Sequence, residues 1–209
     1  MPHIEAAALF VPAGDISALL AINEAKPLMP IDVPRLFIPV RIAILTISDT
    51  RTFDDDKSGQ ILADLAADAG HSLSARKISK DDVRTIRHIM RDWTARDDID
   101  VIITTGGTGL TGNDVTIEAM RPLFDKEIEG FGTLFHMMSF QKIGTSTIQS
   151  RATAGIMHGK YIFCLPGSPG ACRDGWNEIL KGQLDHRHAP CNFVEIMPRL
   201  MEHVQRRKP

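Results

Sequence analysis

One glycine-rich segment holds the residues of this chain best suited to bind an anion. It follows the short apolar run 101–103 and consists of Thr105, Gly106, Gly107, Thr108 and Gly109. Glycines leave backbone N–H groups open to a ligand, and the start of a helix, expected here at residues 116–117, favours negative charge. Asp114 lies in the same turn, where an acid could coordinate the metal ion of a bound nucleotide. The segment therefore predicts a phosphate site.

Two familiar phosphate motifs come close to this segment without fitting it. Residues 107–112 match G-x-G-x-x-G, but that dinucleotide motif belongs to a first βα unit and needs an acid about 20 residues later. The same residues match the glycine spacing of a P-loop, yet Asn113 and Asp114 replace its Lys and Ser/Thr. Two interpretations stay open: a phosphate-binding loop of another type and a purely structural tight turn.

Polar residues also follow the strands that are predicted before the glycine segment. The β-branched run 40–47 ends in Ser48 and Asp49, and a weak strand over residues 72–78 is followed by Asp81. Strands and helices alternate along this part of the chain, which predicts a parallel sheet with helices on both faces. Ligands of such sheets gather outside the carboxyl ends of the strands. We therefore expect these residues and the glycine segment along one edge of the sheet.

Asp81 has two interpretations. Ser79 is the predicted N-cap of a helix with an apolar stripe over residues 83–93, and Asp82 is a short variant of the capping-box acid. Asp81 would then lie in the first helical turn, where an acid complements the helix dipole by about 0.3–1 kcal/mol. Its position after a strand also makes it a candidate site residue, and the sequence leaves both interpretations open.

Two other turns could bind ions or could be purely structural. Residues 53–57 form an acidic turn that lacks the Gly and the distal Glu of a calcium loop, which favours a solvated helix start over a metal site. Pro166, Gly167 and Ser168 end a predicted strand over residues 161–165 and begin a helix. They could form a second anion site at that helix start, or a plain strand-to-helix turn.

Composition limits the chain to one main core. With 209 residues, 43% of them apolar, and a formal net charge of −2, it can form one domain with appendages. We assign residues 1–34 to a proline-punctuated extension, 35–197 to the domain and 198–209 to a tail. The charge balance predicts no nucleic-acid binding, and no apolar run suggests a membrane partner. The 3 cysteines lack a CxxC pair and indicate reduced thiols, so we expect a cytoplasmic protein.

Several blocks of the sequence, taken in order, resemble the molybdopterin-binding family that includes MoaB and MogA. The resemblance covers roughly residues 35–195, and stretches 135–147 and 190–193 are similar to the MoaB branch. The matching blocks are residues 41–49, 105–109, 114–119, 129–132, Ser139, 145–152 and 164–168.

The resemblance implies a fold, an assembly and an activity. The fold is a three-layer α/β/α sandwich with a mostly parallel sheet, and the assembly is a homo-oligomer, either a trimer or a hexamer made of trimers. The activity belongs to molybdenum cofactor biosynthesis, and other proteins of that pathway are candidate partners. In the active branch, the terminal phosphate of molybdopterin attacks the α-phosphorus of ATP-Mg²⁺ and pyrophosphate leaves. No tightly bound organic cofactor is expected.

The resemblance also assigns residues. Asp81 and Asp114 match the two acids of the active enzymes and would orient Mg²⁺ or the phosphates of ATP. Backbone donors of residues 106–109 would hold phosphate oxygens. Ser139 and Ser150 match hydroxyl groups that line the molybdopterin pocket, although both could equally be capping or turn residues.

Two classes of function stay open. The presence of both acids favours an enzyme, a molybdopterin adenylyltransferase. The MoaB-like blocks favour a protein that binds molybdopterin, or a partner from its pathway, without turnover. Asn113 also favours this second class, because the family often has a basic residue at that position and a proline where this chain has Ile117. An unrelated NAD(P)-dependent oxidoreductase is supported by the G-x-G-x-x-G match alone.

Overall fold

The computed structural model describes residues 35–205, so the predicted extension over residues 1–34 and the last residues of the predicted tail lie outside the described residues. The strands are β1 (Arg41–Ile47), β2 (Ser72–Ser79), β3 (Val101–Thr105), β4 (Lys126–Glu127), β5 (Thr153–Met157) and β6 (Lys160–Leu165). The helices are α1 (Lys57–Asp68), α2 (Val83–Thr94), α3 (Thr116–Met120), α4 (Glu129–Ile143), α5 (Pro169–Gly175), α6 (Lys181–Gln183), α7 (Phe193–Ile196) and α8 (Glu202–Gln205). Within the described part of the chain, no helix is both long and apolar enough to cross a membrane.

The strands form one mostly parallel sheet in the order β2-β1-β3-β6-β5-β4. β1 pairs in parallel with β2 on one side and with β3 on the other, and β3 pairs in parallel with β6. β5 and β4 complete the sheet as antiparallel strands. The chain thus winds away from β1 in both directions, and the order of the strands reverses between β1 and β3. Ligands of open α/β sheets bind at such a reversal.

Two apolar layers cover the two faces of this sheet. Successive residues of a strand point to opposite faces, so Ile42 and Ile44 pack into one layer while Ala43 and Leu45 pack into the other. Side chains of α1, α4 and α5 fill the first layer, and side chains of α2 and α3 fill the second. The predicted three-layer α/β/α sandwich is confirmed.

The acidic turn over residues 53–57 starts a helix, but its last acid is buried rather than solvated. Asp56 is the N-cap of α1, and its side chain accepts a hydrogen bond from the Gly59 amide at 2.9 Å. It also pairs with Arg76 at 2.9 Å and accepts a hydrogen bond from the Thr46 hydroxyl at 2.8 Å. The turn thereby ties the start of α1 to strands β1 and β2.

The predicted N-cap at Ser79 is wrong. Ser79 is the last residue of β2, in register with Ile47, and its carbonyl accepts a hydrogen bond from the Ser48 amide at 2.8 Å. These pairings with β1 hold Ser79 in the sheet, so the strand runs one residue further than its side-chain pattern indicates. Asp82 is the N-cap of α2 and accepts a hydrogen bond from the Thr85 amide at 2.8 Å. Asp81 therefore precedes the helix and does not lie in its first turn.

Candidate functional site

An open cleft of about 360 Å³ lies at the carboxyl ends of β1 and β3, where the strand order reverses. It brings together residues from each of the strand ends predicted to form a site, and Gly167 from the turn after β6. The lining residues are Ile47, Ser48, Asp49, Thr50, Arg51, Asp81, Gly106, Gly107, Asn113, Asp114 and Gly167.

The glycine segment is shaped by two residues with positive φ, Gly106 at +100° and Gly107 at +61°. A Cβ at Gly106 would lie 2.1 Å from the carbonyl oxygen of Ile47, and a Cβ at Gly107 would lie 2.4 Å from Asp81 Oδ1. Thr116 holds the segment from the other side, since its hydroxyl donates to Gly106 O at 2.8 Å and its amide donates to Gly107 O at 2.9 Å. Only glycine fits this close approach between strand end, acid and helix.

The helix after the glycine segment begins at Thr116 as predicted, but α3 has only 5 residues. A macrodipole sums over aligned peptide units, so this short helix offers little of the positive field expected at a helix start. Within residues 35–205, the Gly107 and Thr108 amides donate no hydrogen bond, whereas the Gly106 amide donates to Leu165 O at 3.1 Å. The Gly109 amide donates to Asp114, so the backbone donors of residues 106–109 without a partner are those of Gly107, which lines the cleft, and Thr108, which does not.

Asp114 is held by its own turn in a charged form. One carboxylate oxygen, Oδ2, accepts hydrogen bonds from the Thr111 amide at 2.9 Å and from the Thr111 hydroxyl at 2.6 Å. Partial burial raises its pKa, but the hydrogen bonds from Thr111 and the nearby Arg151 outweigh this effect, so the pKa lies below its ordinary value. The Gly109 amide donates a further hydrogen bond to this carboxylate, so Asp114 is fixed in position at the cleft as an anion.

Asp81 has the opposite electrostatic environment. Burial raises its pKa, and the negative charges of Asp49 and Asp114 raise it further. Its Oδ1 atom is buried and has no hydrogen-bond partner within the described residues. Its backbone amide donates to Asp49 Oδ1 at 3.2 Å, which draws the two acids together. A cation would satisfy the orphaned oxygen and offset the repulsion between these carboxylates.

The acids of the cleft fit a metal ion that arrives with a ligand better than a resident one. Within residues 35–205, no three His, Cys, Asp or Glu side chains are grouped closely enough to hold a metal ion by themselves. Mg²⁺ commonly binds one or two protein carboxylates together with phosphate oxygens and waters. The orphaned Asp81 oxygen and the charged Asp114 carboxylate are suited to that arrangement.

Arg51 lines the cleft and was not among the predicted site residues. Its guanidinium donates to Ser58 Oγ at 3.2 Å and to the Gly167 carbonyl at 3.1 Å. It thus joins the loop after β1 to the turn after β6. The only sequence signal is its position, two residues after the Ser48-Asp49 pair at the end of a predicted strand.

Arg151 is a second residue near the cleft that was not among the predicted site residues. Its Nε donates to the Thr108 carbonyl at 2.9 Å, and one of its terminal nitrogens donates to the Asp114 carbonyl at 3.3 Å. The same guanidinium forms an ion pair with Glu118 of α3. Arg151 lies outside the cleft but connects the segment before β5 to both ends of the turn that holds Asp114.

Several predicted site residues have structural partners or lie outside the cleft. Thr105 Oγ1 donates to the Pro166 carbonyl at 3.1 Å, and Ser168 caps α5 by accepting from the Ala171 amide at 3.1 Å. Ser139 lies on α4, and Ser150 precedes Arg151, with its carbonyl 2.6 Å from His136 Nε2. Neither serine lines the cleft. Their assigned roles toward molybdopterin stay predictions, as does the second anion site at residues 166–170.

Known proteins are similar to this chain in sequence and in fold. A family described as "Probable molybdopterin binding domain" matches residues 43–186. Molybdenum cofactor biosynthesis protein B of Escherichia coli (strain K12) is 52% identical over 157 residues, which cover 75% of this chain and 92% of that protein. The protein of the same name from Bacillus cereus is 47% identical over 148 residues, covering 70% of this chain and 88% of that one.

A solved structure agrees with these sequence matches. The crystal structure of a molybdenum cofactor biosynthesis protein B superposes with a TM-score of 0.73 at 41% identity, covering 80% of this chain and 99% of the other. The family match runs from the third residue of β1 to three residues beyond α6 and so contains the whole cleft. The chain therefore belongs to the molybdopterin-binding family of MoaB and MogA, whose function lies in molybdenum cofactor biosynthesis.

Proposed function

We propose that this protein adenylylates molybdopterin with ATP-Mg²⁺ and releases pyrophosphate. The observation that carries the proposal is the orphaned, buried carboxylate oxygen of Asp81 in the same cleft as the charged carboxylate of Asp114 and the glycine segment. The pKa of Asp81 is raised and that of Asp114 is lowered, and shifted pKa values of acids around one cleft are typical of a binding or catalytic site.

The reaction needs positioning more than acid–base chemistry. The terminal phosphate of molybdopterin is already a nucleophile as a dianion, so the protein must align it with the α-phosphorus of ATP and balance the charge of the phosphates. Asp114 and Asp81 would orient the Mg²⁺ that ATP carries. The Gly107 and Thr108 amides would donate to phosphate oxygens. None of these roles is a proton transfer, which agrees with the lack of a histidine among the described residues that line the cleft.

A second candidate is a protein that binds molybdopterin without turnover. Asn113, which lines the cleft beside Asp114, favours it because an amide cannot supply the positive charge that a basic residue would bring to a polyphosphate. Such a protein would hold molybdopterin, or a partner from the same pathway, for another enzyme.

The decisive experiment is to incubate the full-length protein with molybdopterin and ATP-Mg²⁺. We expect adenylylated molybdopterin, detected by mass spectrometry, together with an equal amount of pyrophosphate. Asp81→Ala and Asp114→Ala should each lower the rate by about a hundredfold or more, because misplaced phosphates react slowly, while molybdopterin binding persists. Asp68→Ala, which changes an exposed acid of α1, is the matched control and should react at the wild-type rate.

The alternative gives a different result in the same assay. Tight molybdopterin binding by the wild-type protein without any adenylylated product would reject the enzyme and support the non-catalytic function. Retention of NAD(P) by the purified protein would instead support the remote oxidoreductase interpretation.

We also propose that the chain assembles as a homo-oligomer, a trimer or a hexamer of trimers. The proposal is supported by apolar side chains that project from α4 and from the 3₁₀ helix after it, Gly144–Gln149. Contiguous exposed apolar surface of this kind is typical of an interface. The exposed side chains are Leu134, Met137, Phe140, Ile143 and Ile148.

A further inference from the structure

Among the described residues that line the cleft, Arg51 is the one with a positively charged side chain. The other charged residues of the lining are Asp49, Asp81 and Asp114. A polyphosphate chain carries several negative charges, which three carboxylates in one cleft would repel. A metal ion offsets this repulsion where it is bound, and a fixed cation can do so elsewhere along the chain of phosphates.

Arg51 is anchored without being neutralised. Its two hydrogen bonds go to a hydroxyl and a carbonyl, Ser58 Oγ and Gly167 O, which carry no net charge. The nearest carboxylate, Asp56, lies 3.9 Å from one guanidinium nitrogen and pairs more closely with Arg76, at 2.9 Å. The positive charge of Arg51 is therefore held in place beside the cleft, and its ion pair with Asp56 is long and is shared with Arg76.

The guanidinium also has donors to spare. It carries five N–H groups, and two of them are used by the bonds to Ser58 and Gly167. The side chain is 31% exposed, so the other donors can be reached from the cleft. A planar, oriented guanidinium binds phosphate oxygens in pairs and loses little rotational freedom in doing so.

We propose that Arg51 is a phosphate-binding residue of this cleft and contacts the polyphosphate chain of the nucleotide. Asp81 and Asp114 would hold the metal ion, and Arg51 would bind phosphate oxygens elsewhere in the cleft. Arg51 would thus supply, from the loop after β1, the positive charge that Asn113 lacks. The inference rests on nucleotide binding from the proposed function, but it does not require turnover.

The test is binding of magnesium tripolyphosphate to the full-length protein, measured by isothermal titration calorimetry. Tripolyphosphate has no nucleoside, so it reports on the phosphate contacts alone. Arg51→Gln keeps a donor near Gly167 but removes the charge, and should weaken binding by about tenfold to a hundredfold, the worth of a charge-assisted hydrogen bond. Arg51→Lys should recover part of this loss. Arg91→Met removes an exposed arginine of α2 and should change affinity by less than about twofold.

A purely structural role for Arg51 predicts another pattern. In that case Arg51→Lys and Arg51→Gln lose affinity equally, and Ser58→Ala, which removes one anchor but keeps the guanidinium, loses as much as either. That pattern, wild-type affinity in Arg51→Gln, or no binding by the wild-type protein would overturn the inference. Arg51-dependent binding without adenylylated molybdopterin would support the inference while rejecting the proposed enzyme, so the two failures are distinguishable.

Discussion

At the scale of single residues, Asp56 links stability to the cleft. It is buried, it caps α1, and its carboxylate lies between Arg76 and Arg51. Burial alone would raise its pKa, but hydrogen bonds from Arg76, the Gly59 amide and Thr46 outweigh this effect and lower the pKa. The charged form of Asp56 is therefore favoured by the folded structure, and removal of that charge leaves Arg76 without its main partner.

We expect Asp56→Asn to lower the free energy of unfolding by about 3 kcal/mol at pH 7, because one member of a mostly buried ion pair is lost. Asn can still cap the helix, so the loss reports on charge. A lowered folded pKa stabilises the protein above the unfolded pKa of about 3.9, and this contribution is lost as pH falls through the folded value. Urea unfolding at pH 7 and in acid should thus give a deficit that shrinks in acid. Asp54→Asn, an exposed neighbour, should unfold like wild type.

At the scale of elements, the glycine segment is the part that tolerates least change. Gly107→Ala places a Cβ 2.4 Å from Asp81 Oδ1 and 2.5 Å from Thr116 Oγ1, at a positive φ that alanine adopts at a cost of about 1–2 kcal/mol. We expect it to displace Asp81 and to weaken magnesium tripolyphosphate binding by tenfold or more. Gly112→Ala is the matched control, because its Cβ would meet nothing within 4 Å. Equal affinities of the two variants would contradict the assigned geometry.

The elements were predictable from sequence to different degrees, for physical reasons. Apolar periodicity identified the stripe of α2, where Ile86, Ile89, Met90 and Trp93 are buried, because burial on one helical face leaves a local pattern. The cap of that helix was misassigned, because pairing with β1 keeps Ser79 in the sheet and no local pattern records a partner strand.

The same limit explains the two arginines that the sequence analysis missed. Arg51 meets Gly167 across 116 positions of the chain, and Arg151 meets Thr108 across 43. Contacts at such separations are fixed by the packing of the layers and leave no local spacing to detect. The acids and glycines were found because they follow predicted strands, and the topology of parallel sheets brings strand ends together.

At the scale of the whole molecule, the exposed face of α4 is the feature that a single chain leaves unexplained. Met137 and Phe140 lie three residues apart and are neighbours on the helix surface, and Leu134 and Ile143 extend this exposed apolar row toward the two ends of α4. Met137 is 63% exposed and Phe140 is 56% exposed, which is costly for large apolar side chains in water. The 3₁₀ helix that follows adds Ile148 and then leads through Ser150 to Arg151, which holds the turn of Asp114. Assembly through this face would thus support the cleft.

We expect Phe140→Glu to dissociate the proposed homo-oligomer, because assembly through this face would bury an unpaired charge in an apolar interface. Sedimentation velocity should find wild type as a trimer or hexamer and the variant as a smaller species. Leu73→Glu, at an exposed position on the opposite edge strand β2, is the control and should sediment like wild type. The 3₁₀ helix after α4 leads to Arg151, which holds the turn of Asp114. The dissociated variant should therefore also bind magnesium tripolyphosphate more weakly than the Leu73→Glu control. A monomeric wild type, or a Phe140→Glu variant of unchanged size, would contradict assembly through this face.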